Sequence, residues 1–324
     1  MAEKSLPITI DVPSKADVYI TQRLSILCAN TINMQSLFMN KFVQLFLRSY
    51  YYPDGGLDDM VTFYTDAVFL WGGLSFEFND EDIPFKDIIN HIRTQINNNQ
   101  YVSIFLNDYY VEGSRRKRHF DHEYLIVGYN DEKKEFDTVL YNRFHRYDHV
   151  PVKYSELEDG YRHRVAPSFT YLTMQCQQGY DHLKDDDREK TILLLNDYVY
   201  SNNSFDWYLA PGKTAFGMDV YDAVIDKTLH YHSRNCEQVV DMEDYSILVE
   251  HKNFMYQRIH DYFGLERLAE KYMNIVNESQ EIKFLAMKCA FGNKCNYLDD
   301  IAKLLDKMHM DESILLHTLL AAIN

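Results

Sequence analysis

Up to about residue 180, short apolar runs alternate with polar breaks; beyond it, apolar positions recur every three or four residues. Residues 1–20 read as a strand or arm. From Cys28 to about Ser49 there is no proline or glycine, and Ile32, Leu37, Phe38, Val43, Leu45 and Phe46 recur at roughly helical spacing. A helix is expected there, with Cys28 at or near its first turn. Residues 51–56 (YYPDGG) mark a turn, 58–70 a second helix, 71–78 (WGGLSFEF) a Gly-containing loop entering a strand, and about 87–97 a third helix. YVSIFLNDYY (101–110) reads as a strand, and 112–121 as a basic loop. EYLIVGY and FDTVLY, rich in β-branched and aromatic residues, flank the polar NDEKK (130–134), which is a hairpin signal. Centring the hairpin on Glu132 sets His122 opposite Asn142, within side-chain reach.

The second part predicts helices over 216–233, 244–276, 281–291 and 297–308, after a charge run at 184–190 that reads as a linker. The pattern is α+β followed by an all-α domain, with domains expected at 1–183 and 184–324.

Charge narrows the function classes. The net charge of −16 argues against nucleic acid and suits cationic substrates such as amines. The N-terminal stretch lacks the apolar core of a secretory signal, and no apolar run is long enough to span a bilayer. Five scattered cysteines, at 28, 176, 236, 289 and 295, form neither a disulfide framework nor a metal set. A cytoplasmic protein with reduced thiols and no metal is expected.

Among the thiols, Cys28 stands out. A helix N-terminus favours negative charge and lowers a thiol's pKa from about 8.5. His122 oriented by Asn142 would complete a Cys-His-Asn arrangement. Should Asn142 not face the histidine, Asp137 or Asp148 is the next candidate to orient it. Gln22, six residues upstream of Cys28, can donate with the Cys28 backbone N–H to an oxyanion. Arg115, Arg116, Lys117 and Arg118 form a basic rim close to His122, suited to an acidic partner.

The order Gln22, Cys28, His122, Asn142 resembles that of papain-like cysteine enzymes, including the peptidases that remove bacteriocin leaders. HEYLIVGYND is similar to their His-hydrophobic-Gly-Tyr-Asp run. The chain resembles more closely the butirosin-biosynthesis acyltransferase (BtrH-like) family, in WGGLSFEF, in NDYYVEG…RRKRHFDHEYLIVGYND and in VEHKNFMYQRI (249–259). The resemblance implies a papain-like fold and an acyltransferase of secondary-metabolite biosynthesis, working beside nonribosomal peptide or polyketide enzymes. Cys28 would take an acyl group from an acyl or peptidyl carrier protein's phosphopantetheinyl thioester and pass it to an amine acceptor, with no bound cofactor. Trp71, Gly72 and Gly73 of the Gly-rich loop would contact substrate or carrier. The chain departs from the peptidase pattern in Ala29, where Gly is usual, and in Asn142 for Asp. The same residues serve a cysteine peptidase or amidase, and a non-catalytic binding protein could keep the frame.

Overall fold

The computed structural model describes residues 3–51, 57–63, 72–79, 83–114, 119–144, 146–165, 171–204, 215–233, 242–292 and 296–324. The chain is α+β and falls into two compact units, Met1–Met34 with Trp71–Asp181, and Gln35–Leu70 with His182–Asn324. The second break lies close to the expected 183/184 division. Residues 35–70, however, join the helical unit rather than the first.

The first unit is an antiparallel sheet ordered β4 (Leu74–Asn79), β9 (Tyr171–Cys176), β5 (Tyr101–Asn107), β6 (Asp121–Asn130), β7 (Glu135–Tyr141) and β8 (Tyr147–Lys153), with β1 (Glu3–Ser5) added to β6. The hairpin forms as its pattern predicts. Asn130 Oδ1 accepts from the Glu132 and Lys133 N–H groups at 3.0 Å each, closing the turn. Leu125 faces Val139 and Ile126 faces Thr138, which is the register set by centring on Glu132; a bulge then brings Gly128 opposite Asp137. Gly128 is required here, because a Cβ would stand 2.7 Å from the Lys4 carbonyl oxygen of β1.

Among the described residues, three α-helices belong to this unit: α1 (Val18–Asn30), α3 (Ile88–Asn97) and α4 (Tyr154–Arg162). Helix α1 begins ten residues before the expected start. Asp17 caps it, accepting from the Tyr19 and Ile20 N–H groups at 2.8 and 3.4 Å. Ile20, Leu24 and Leu27 form its buried stripe. It ends where the Thr31 hydroxyl bonds the Leu27 carbonyl at 2.7 Å and Asn33 adopts φ 55°. Cys28 therefore sits in the last turn of its helix, not the first.

In the second unit the remainder of the expected 28–49 helix is α2 (Met34–Asn40) and strand β2 (Leu45–Tyr51), which pairs with β3 (Leu57–Phe63). The expected 58–70 helix is a strand as far as Phe63, and 64–70 lie outside the described residues. Leu45, Leu47, Val61 and Phe63 are buried and directly paired, so tertiary pairing overrides an ambiguous apolar spacing. The charge run is no linker: Asp187 Oδ1 accepts from the Lys190 N–H at 3.1 Å and caps α5 (Arg188–Val199). Helices α6 (Val220–Ser233), α7 (Met242–Gln257), α8 (Glu266–Gly292) and α9 (Leu298–Ile323) follow, with one π-helical turn, Arg258–Tyr262, after α7.

VEHKNFMYQRI accounts for much of this unit's interior. Arg258, fully buried, donates to the carbonyls of Phe38, Met39 and Phe42 at 2.6–3.0 Å and satisfies the end of α2. His251 Nε2 bonds the Val43 carbonyl at 2.7 Å. Lys252 meets Glu312 of α9 at 2.8 Å, with both side chains fully buried.

Candidate active site

At the end of β5 the chain enters a short 3-10 turn, Asp108–Tyr110, that turns Asp108 inward. Its carboxylate is 1% exposed and has two partners: His122 Nδ1 at 2.5 Å and the Tyr124 hydroxyl at 2.7 Å. His122 and Tyr124 are two apart on β6 and share one face of the sheet. Burial, and after it the neighbouring Asp108 charge, hold the Tyr124 phenol well above 10, so it stays a hydroxyl donor. The carboxylate accepts the hydrogen bond of Nδ1–H, which leaves the lone pair of His122 on Nε2, in a side chain 31% exposed. The pair has the geometry of an imidazole with a buried orienting carboxylate.

The orienting group is Asp108, not Asn142. The β6–β7 ladder runs up to the Leu125–Val139 pair; Asn142 instead bridges Ser114. Asn142 Oδ1 accepts from the Phe144 and Arg146 N–H groups at 2.9 and 3.2 Å, closing its own turn. The fallback candidates are also elsewhere: Asp137 meets His149 at 2.9 Å and Asp148 bonds the His149 N–H.

Cys28 and His122 are not brought together. Glu123, between His122 and Tyr124, turns to the opposite face. Its carboxylate accepts from Ser103 and lies 3.7 Å from Nη1 of Arg23 on α1. Helix α1 thus packs on the Glu123 face, and His122 opens onto the other. Gln22 is buried on α1 and donates to the Glu123 carbonyl at 3.2 Å, so that amide holds helix to strand. Burial, and after it the Asp11 carboxylate, push the Cys28 thiol up to about 11. Near neutral pH its thiolate fraction is then about two to three orders of magnitude below that of an ordinary cysteine. Alkylation of the folded protein by iodoacetamide is expected to be slow at pH 7 and to rise about tenfold per pH unit toward pH 10. Rapid, pH-independent labelling of Cys28, read by peptide mapping, would contradict this placement.

Of the loop candidates, Gly72 and Gly73 form the turn into β4. Gly73 has φ 84°, and a Cβ there would lie 2.7 Å from the Tyr180 ring. Gly73 serves that close approach. Trp71 and Arg115–Arg118 lie outside the described residues.

The sequence reading missed Asp108, Tyr124 and His119. The signal was present: Asp108 directly follows an apolar strand run, and Tyr124 is spaced to share a face with His122. His119 stacks on Tyr109 with centroids 4.3 Å apart, and its Nδ1 lies 3.3 Å from the side-chain nitrogen of Asn107. Among the described residues no cluster of His, Cys, Asp or Glu is arranged to hold a metal ion, and no helix is long and apolar enough to cross a membrane. No protein-family model matches the chain, and no curated protein is detectably similar to it.

Proposed function

We propose that the first unit catalyses acyl transfer from a thioester to an amine, with His122 as general base acting directly on the acceptor. The observation that carries this reading is the Asp108–His122 pair, a buried carboxylate on a partly exposed imidazole at 2.5 Å. A thioester is already activated, so a positioned base is enough for attack; such bases contribute about 10²–10⁴-fold. Helix α1 packed on one face of an antiparallel sheet supports a papain-like reading of the frame, and Cys28 in the last turn of that helix departs from the pattern the resemblance implies. An amine acceptor suits the acidic chain. Arg115–Arg118, immediately before His119 in sequence, suit an acidic acyl or peptidyl carrier protein as donor. A binding protein on the same frame is the second reading, favoured by the buried Arg23–Glu123 pair that fills the α1–β6 interface where a thiol route would need space.

The test is amide formation, followed by mass spectrometry, from acyl-pantetheine and acylated carrier proteins with a panel of amines. Wild type and Cys28→Ala are expected to form product without a lasting acyl adduct, and His122→Ala to lose it. Equal turnover by wild type and His122→Ala refutes the base. An acyl adduct that disappears in Cys28→Ala restores the thiol route, and His122-dependent peptide cleavage makes the protein a hydrolase.

A further inference from the structure

Two imidazoles stand at the end of β5, anchored by consecutive residues. Asp108 holds His122; Asn107, 1% exposed, holds His119. The orientation of the Asn107 amide is settled by its other bonds. Its Oδ1 accepts from the Tyr109 N–H at 3.1 Å, and its Nδ2 donates to the His163 carbonyl at 2.6 Å. The atom 3.3 Å from His119 Nδ1 is therefore a donor, and Nδ1 must accept. A neutral His119 then carries its proton on Nε2. His122 is fixed the opposite way, with its proton on Nδ1, toward Asp108, and a lone pair on Nε2. The two histidines are three positions apart in the chain, so their Cα atoms lie within about 10 Å. His119 is exposed and its ring is held flat on Tyr109.

We propose that His119 is a second catalytic residue of this site, donating its Nε2–H to the thioester carbonyl oxygen while His122 accepts the amine proton. This rests on the acyl-transfer reading above. The amine nitrogen attacks the carbonyl carbon and the N–C bond forms. The C=O π pair moves onto oxygen, where His119 Nε2–H meets the oxyanion, and His122 Nε2 takes the amine proton. Collapse of the oxyanion re-forms C=O and breaks the C–S bond. The departing sulfur takes the proton back from His122. A neutral donor and a neutral acceptor complement the two changes in this transition state: negative charge on oxygen and positive charge on nitrogen.

Two measurements test it. Imidazole ¹⁵N NMR on the folded protein is expected to show His119 protonated at Nε2 and His122 at Nδ1; Asn107→Ala should remove the His119 preference and leave that of His122. In the transfer assay, His119→Ala is expected to lower kcat by about 10²–10³-fold with little change in KM, the loss usual for one oxyanion donor. His119→Gln, which keeps an N–H donor, should recover part of it. His119 protonated at Nδ1, or full kcat in His119→Ala, overturns the proposal. Wild type inactive toward every donor overturns it together with acyl transfer, and an intact NMR tautomer pair then shows that the reaction class, rather than the site geometry, was misread.

Discussion

Replacing Glu312 by alanine is expected to cost the helical unit about 3–5 kcal/mol, the loss seen when a buried ion pair is broken from one side. Its two carboxylate oxygens accept from Lys252 at 2.8 and 3.0 Å, from Tyr221 at 2.6 Å, from Tyr198 at 3.2 Å and from Tyr272. Burial first, and the Glu312 charge after it, hold all three phenols well above 10, so they remain donors that need this acceptor. Alanine would leave an ammonium fully enclosed with only the Tyr198 hydroxyl and His251 Nδ1, at 2.7 and 3.2 Å. It would also strip the acceptor from three tyrosines, and total stabilities are only about 5–15 kcal/mol. The double variant Lys252→Met/Glu312→Gln removes both charges and keeps an acceptor for the tyrosines, so it should recover most of the loss. Urea unfolding followed by circular dichroism measures both. A cost below about 1 kcal/mol for Glu312→Ala would mean that water reaches the cluster.

That cluster shows what was legible in the chain and what was not. The apolar periodicity of 216–233 and 297–308 announced helices, and α6 and α9 follow. It did not announce that Lys252 and Glu312, sixty residues apart, would meet inside. The same division holds in the sheet unit. The hairpin was readable because its turn chemistry at Asn130 and its β-branched runs are local, and its register near Leu125 and Ile126 followed. The absence of glycine and proline after Cys28 is no helix-start signal in itself. Asp17, a strong cap eleven residues earlier, had set the start already. The apolar spacing of strands β2 and β3 fits both the helical and the strand period, and only their mutual pairing decides between them. The pairing of Asp108 with His122 was not legible in the sequence. The strand β5–β6 pairing that brings Asp108 to His122 closes over a loop of more than ten residues, too long for turn chemistry to fix a register.

The second large effect is expected at Asp108. Asp108→Asn keeps the size of the side chain and can keep the hydrogen bond from Tyr124, so the protein should fold. Its amide nitrogen, facing His122 Nδ1, would make that atom an acceptor and move the ring proton to Nε2. The base would then present a proton where the amine needs a lone pair. By analogy with the same exchange in a serine-protease triad, the loss in kcat is on the order of 10⁴-fold. Tyr124→Phe bears on the same carboxylate from its other oxygen, and as a positioning residue it should cost far less, on the order of tenfold, while shifting the pH dependence of kcat. Combined with Asp108→Asn it should add little, because the carboxylate that it positions is already gone. If Asp108→Asn folds and retains more than about a tenth of wild-type kcat, His122 is not the base, since no other described group fixes its tautomer. If Tyr124→Phe and Asp108→Asn instead add in full, the tyrosine acts independently of the carboxylate, and its hydroxyl would have to be counted among the groups that meet the substrate.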